Sequence, residues 1–177
     1  MTSTLVATVM SDDRPGLVEA LSEVVVEHGG NWLESRISRL AGKFAGILLV
    51  RVPDNKALVL TLGLQALESQ GFKIMVERST GGALAGDYRS LSLDLIGQDH
   101  PGIVYDISHA LGRLGISVED LLTECVSGSM SGENLFKATV QLRVPSHVAI
   151  AELRDVLEGV ANELMVDITL EEPPAAA

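Results

Sequence analysis

Ser11-Asp12-Asp13-Arg14-Pro15-Gly16-Leu17-Val18 follows a short apolar run and opens a helical pattern. Gly97-Gln98-Asp99-His100-Pro101-Gly102-Ile103-Val104 does the same further along. Proline suits the first helical position, where its missing N–H has no partner in any case. The glycine after it lacks a Cβ, so a ligand or another backbone can come close. Free N–H groups at a helix start favour negative charge. Strand, bare Pro-Gly corner and helix start together form a cradle for a small carboxylate. Without a ligand, the same residues are a tight strand-to-helix turn.

The two stretches belong to a longer repeat. Pro15-Gly16 falls on Pro101-Gly102 at an offset of 86, and Leu5, Ala7 and Val9 fall on Leu91, Leu93 and Leu95. Gly29 and Trp32 fall on Gly115 and Val118. Further on, Leu48-Leu49-Val50-Arg51-Val52-Pro53 matches Val140-Gln141-Leu142-Arg143-Val144-Pro145 at an offset of 92, so the second copy carries six extra residues. The run Ser127-Gly128-Ser129-Met130-Ser131-Gly132 is the natural place for them, as a longer hairpin loop.

Each copy reads strand, helix, strand, strand, helix, strand. In the first, a strand covers Leu5 to Met10 and a helix Pro15 to Glu27, with Leu17, Leu21 and Val24 at helical spacing and Gly29-Gly30 as its stop. A strand starts at Asn31, turns at Ala41-Gly42-Lys43 and returns over Phe44 to Val52. The next segment is ambiguous, because Leu58, Leu60, Leu62 and Leu64 alternate as in a strand. The helical spacing of Leu153, Val156, Leu157 and Val160 in the second copy assigns it as a helix. Phe72 to Glu77 is the last strand. The second copy repeats the order with strand Leu91 to Ile96, helix Pro101 to Leu114, strands Ile116 to Val126 and Leu135 to Val144, helix Ser146 to Ala161 and strand Leu164 to Leu170.

The fold class expected is α+β: two ferredoxin-like βαββαβ domains, each an antiparallel sheet with both helices on one face. Domain 1 spans 1–79, a Gly-rich linker 80–89, domain 2 90–171, and 172–177 form a disordered tail. Alternation assigns Val6, Thr8, Ala45, Ile47, Leu49 and Arg51 to the open sheet face of domain 1. The matching face of domain 2 has Ser92, Asp94, Lys137, Thr139, Gln141 and Arg143. One face is an apolar patch, of the kind that marks contact surfaces; the other is polar.

Composition narrows the function. Thirteen Lys and Arg against 24 Asp and Glu give a formal net charge of −11. That balance argues against gripping nucleic acid or an anionic membrane surface. The apolar runs are too short to span a bilayer, and no signal core follows the N-terminus, so a cytoplasmic location is expected. Cys125 is the only cysteine, which allows no internal disulfide and fits a reducing compartment. His28, His100, His109 and His147 are scattered without ligand spacing, so neither a metal nor a cofactor is expected. No nucleophile elbow, zinc-protease helix or phosphate loop occurs, and no catalytic residue is assigned.

Asp12-Asp13-Arg14-Pro15-Gly16-Leu17-Val18 followed by Glu27-His28-Gly29-Gly30-Asn31-Trp32 resembles an ACT domain, a ferredoxin-like module that commonly senses amino acids. The second copy keeps Asp99, Pro101 and Gly102 but has Gly115-Ile116-Ser117 where Gly29-Gly30-Asn31 stood. Two such modules over residues 3–171 resemble the glycine cleavage system transcriptional repressor family. That resemblance implies a protein that does not bind DNA itself. It implies instead restraint of a LysR-type activator, relieved by a small amino acid, glycine being the first candidate, and association into homo-oligomers. The first copy also resembles the N-terminal module of formyltetrahydrofolate deformylases, so an enzyme of folate or amino-acid metabolism is one alternative. An interaction module without ligand is the other.

ACT modules bind ligand where the Gly loop of one copy faces the second strand of a neighbour. The resemblance thus carries over to Pro15, Gly16 and Leu17 for a carboxylate, Asp12 or Asp13 for an ammonium, and Asn31 as donor and acceptor. Asp99, Pro101, Gly102 and Ser117 are their counterparts. Asp13 serves equally as a helix cap or turn residue, and Asn31 as a helix C-cap.

Overall fold

The computed structural model describes residues 1–81, 86–128 and 132–172. The chain divides into two compact units, Met1–Leu84 and Ala85–Ala177. The middle of the expected linker, the centre of the expected hairpin insertion and the tail beyond Glu172 lie outside the described residues.

Unit 1 runs β1 (Thr2–Asp12), α1 (Leu17–Glu27), β2 (Asn31–Leu40), β3 (Lys43–Pro53), α2 (Ala57–Ala66) and β4 (Lys73–Arg78). Its sheet has the order β2-β3-β1-β4, with every neighbouring pair antiparallel. Unit 2 repeats this with β5 (Tyr88–Gln98), α3 (Ile103–Arg113), β6 (Ser117–Ser127), β7 (Asn134–Pro145), α4 (Ile150–Leu164) and β8 (Val166–Glu171), in the order β6-β7-β5-β8. Each unit is therefore the expected βαββαβ arrangement.

Alternation along the strands decides which face is core. In unit 1, Leu5, Ala7 and Val9 of β1 and Leu48, Val50 and Val52 of β3 are buried against Leu17, Leu21 and Val25 of α1 and Leu60 and Leu64 of α2. In unit 2, Leu91, Leu93, Leu95, Val140 and Leu142 meet Ile103, Ile107, Leu153 and Leu157. Leu58 and Leu62, the other half of the ambiguous leucine run, are left exposed on α2. The spacing Leu60, Leu64, Leu67 was thus the pattern that mattered, and one-turn 3₁₀ segments, Asp54–Lys56 and Leu67–Gln70, flank this helix.

Several boundaries differ from expectation. β1 and β5 extend beyond their apolar cores at both ends, because their polar residues still pair in the ladder. The helix expected from Ser146 starts at Ile150, since residues after Pro145 form a turn in which the Val148 N–H donates to the Pro145 carbonyl at 3.0 Å. Ala41 and Gly42, both with positive φ (49° and 76°), make the two-residue turn between β2 and β3, as right-handed strand twist demands of a tight hairpin. In unit 2 the β6–β7 ladder runs out to Ser127 opposite Asn134.

Candidate ligand site at the strand-to-helix turns

The turn after β1 is built around Gly16. Its φ of 85° and ψ of 2° are left-handed, and it caps α1: the Ala20 N–H donates to its carbonyl at 3.0 Å. Gly102 does the same for α3, with φ 102° and a 3.0 Å bond from the Asp106 N–H. Glycine is needed here for φ, since a Cβ added at Gly16 would meet no heavy atom within 4 Å. The space beside it is open. The proline is accordingly not the first helical residue, as expected, but lies two positions earlier. Pro15 and Gly16, like Pro101 and Gly102, are exposed, while the side chains of Leu17 and Ile103 are buried. Leu17 therefore offers only its backbone N–H to a ligand. No side chain caps either helix, so the N–H groups of the first turn keep their capacity for an anion.

The acidic residues around the turn are tied down differently from what the sequence suggested. Asp12, exposed, pairs with Lys43, whose hydrogen bond and charge hold its carboxyl below the usual range. Asp13 is not a helix cap: Arg39 Nε lies 3.0 Å from its Oδ1, and its own N–H donates to the Gly42 carbonyl at 2.9 Å. In unit 2 the Asp99 N–H repeats the second contact, to the Asn134 carbonyl at 2.9 Å. The position matching Arg39 is Cys125, opposite Phe136 as Arg39 is opposite Phe44. Local desolvation raises the Cys125 thiol above its ordinary pKa, and the charge and hydrogen bonding of Asp99 add to the effect.

Residues to which the sequence assigned no role in the turn fix each turn to the segment that ends its second helix. Arg14 Nη2 donates to the Gln70 carbonyl at 2.5 Å. His100 sits with its ring nitrogens 3.1 Å from the carbonyls of Pro101 and Leu164. Arg14 and His100 occupy the same place in the repeat and brace the turn in the same way. A polar residue just before the Pro-Gly pair was the only signal for this.

Asn31 lies elsewhere. It is the first residue of β2, not a C-cap; α1 ends with the Gly30 N–H donating to the Val25 carbonyl at 2.8 Å. Asn31 pairs with Arg51, which pairs with Thr4. The Gly16 turn follows Asp12, eight residues further along β1, about 27 Å away at ~3.4 Å per residue. Ser117 stands in the same relation to Gly102, level with Arg143 and Ser90. Neither unit brings its own Asn31 or Ser117 to its own turn. The opposite end of β2 is level with the turn, since Leu40 pairs with Lys43 and Lys43 with Asp12. Among the described residues, β2 and β6 have no strand on their outer edges.

The units also differ between first helix and edge strand. Trp32 packs against the core of unit 1. At the matching place in unit 2, Val118 and Leu121 are 43% and 46% exposed, and an apolar slot opens between β6 and α3 onto Leu95, Ile103, Ile107 and Phe136. Among the described residues, no group of three or more His, Cys, Asp or Glu is placed to hold a metal ion, and no helix is long and apolar enough to cross a membrane.

Residues 3–77 match the ACT domain family model. A protein of unknown function from Galdieria sulphuraria is similar in structure over 98% of this chain and 100% of its own, with TM-score 0.89 and 29% identity. A protein named as a candidate glycine cleavage system transcriptional repressor is similar over 97% of both chains, with TM-score 0.72 and 20% identity. No curated protein matches the chain. Unit 1 thus matches the ACT domain model over nearly its whole length, and unit 2 repeats its topology strand for strand.

Proposed function

We propose that this chain, an ACT domain followed by a second unit of the same build, is a regulatory protein that senses a small amino acid rather than an enzyme. The carboxylate lies on the backbone N–H groups after Gly16, in the open space that its missing side chain leaves. The side-chain contacts come from the first residues of an edge strand of another ACT unit. One observation carries this reading: Asn31 sits at the far end of the sheet from Gly16, while the end of β2 is level with the turn. An antiparallel strand added along β2 brings its own first residues beside Gly16, completing a site that one unit lacks.

Glycine is the first ligand to test, because a relative of the same fold is named for the glycine cleavage system. Action on transcription then runs through a protein partner of LysR type in the cytoplasm, as the net charge of −11 disfavours a direct grip on DNA. Titration calorimetry of the Asn31→Ala chain with glycine tests the shared site. Heat lost together with that of a Gly16→Ala chain supports it; undiminished binding by Asn31→Ala refutes it.

A second reading has one observation in its favour. Asp13, the candidate ammonium acceptor, is already paired with Arg39. In a module that only contacts another protein, that pair would stay closed and no amino acid would bind.

A further inference from the structure

The charge of the chain is unevenly divided. Residues 1–84 hold eight Lys and Arg against nine Asp and Glu; residues 85–177 hold five against fifteen. The sheet faces away from the helices differ in the same sense. In unit 2 this face is polar and satisfied within itself: Thr139 donates to Asp94 at 2.7 Å and Gln141 to Ser92 at 3.1 Å. In unit 1 the register places Val6 opposite Leu49, Met10 opposite Ala45, and Thr8 between Ile47 and Met75. Ile47, Met75 and Met10 are 54%, 59% and 46% exposed. Charges lie only around this patch, on Asp12, Glu34, Arg36, Lys43, Arg51, Lys73 and Glu77, with both signs present.

We infer that the open sheet face of unit 1 is a self-association surface, on which a second copy of this chain packs sheet to sheet about a two-fold axis. Three arguments select a second copy as the occupant. An isologous contact sets each patch against its own kind, and a nearly neutral unit with a mixed-sign rim tolerates that, whereas unit 2 would meet strong like-charge repulsion. An apolar centre with a charged rim is the anatomy of a protein interface. The extent is also sufficient. Four strands ~4.8 Å apart over about eight residues give roughly 500 Å² per copy, or about 1,000 Å² for the pair, which meets the lower bound for a biological interface. The inference does not depend on the ligand site, which uses the turn and the edge of β2.

Sedimentation of the full chain across micromolar to hundred-micromolar concentrations tests it. Wild type should self-associate. The double variant Ile47→Thr, Leu49→Gln takes the residues found at the matching positions of unit 2, Thr139 and Gln141. It should lose one association step, dimer to monomer or tetramer to dimer, with its thermal midpoint unchanged. Met75→Lys alters an exposed side chain outside the core and should lose the same step, which decides the matter even where the double variant fails to fold. A wild type that stays monomeric throughout overturns the inference, as does a folded Met75→Lys chain that associates like wild type.

Discussion

Arg39 Nε lies 3.0 Å from Asp13 Oδ1 at the mouth of the β1–α1 turn, so the carboxylate proposed to receive an ammonium group already has a cation. On the proposed reading, ligand and Arg39 compete for it. Arg39→Ala should therefore tighten amino-acid binding severalfold, while Asp13→Asn weakens it. The pair is exposed, with 67% of the arginine and 30% of the aspartate side chain accessible, so its loss should cost at most about 1 kcal/mol of stability. Calorimetry and thermal melts of both variants check this; weaker binding by Arg39→Ala would remove Asp13 from the site.

Gly16 tests the cradle itself. A β-branched residue at φ 85° is strained by about 1–2 kcal/mol, and its side chain fills the open space beside the turn. Gly16→Val should lower the denaturant midpoint by a corresponding amount and abolish ligand binding. A folded Gly16→Val chain that binds like wild type contradicts the placement of the carboxylate.

Cys125 offers a probe of unit 2. Its thiol pKa is raised, by desolvation first and by Asp99 second, so less thiolate is present near neutrality than an unperturbed cysteine would have. Alkylation by iodoacetamide at pH 8 should be slow for an exposed thiol, and Asp99→Asn should speed it. An unchanged rate in that variant would mean that Asp99 does not act on the sulfur. For stability the sign follows from the raised pKa: the folded state holds its proton longer, so this group's contribution declines as pH rises past the unfolded value.

Trp32 and Val118 divide the packing of the two units. Trp32→Val should open in unit 1 the slot seen between β6 and α3, at a cost of about 2–4 kcal/mol, read as a lowered denaturant midpoint. A cost below about 0.5 kcal/mol would show that the indole does not seal the core.

Most of the architecture was legible because the sequence states it twice. The Pro-Gly pairs at an offset of 86 fixed where each unit starts, and the clear helix of Leu153 and Leu157 settled the ambiguous leucines of the first copy. The register of apolar residues named the core faces of β1, β3, β5 and β7. What could not be read was set by contacts between distant residues. The Arg39–Asp13 pair depends on the β2–β3 register, and the bracing of Arg14 and His100 on where the second helix ends. The separation of Asn31 from Gly16 follows from β1 and β2 running the same way in the sheet, which the repeat alone does not reveal. The late start of α4 depends on a backbone bond after Pro145, for which its apolar spacing held no signal.

Titration of the full-length protein with the twenty amino acids, glycine first, measures the central claim most directly when followed by both calorimetry and product analysis. The account requires saturable binding of glycine or another small amino acid, with the ligand recovered unchanged. Heat from none of the twenty, or conversion of the bound amino acid to a product, would contradict it.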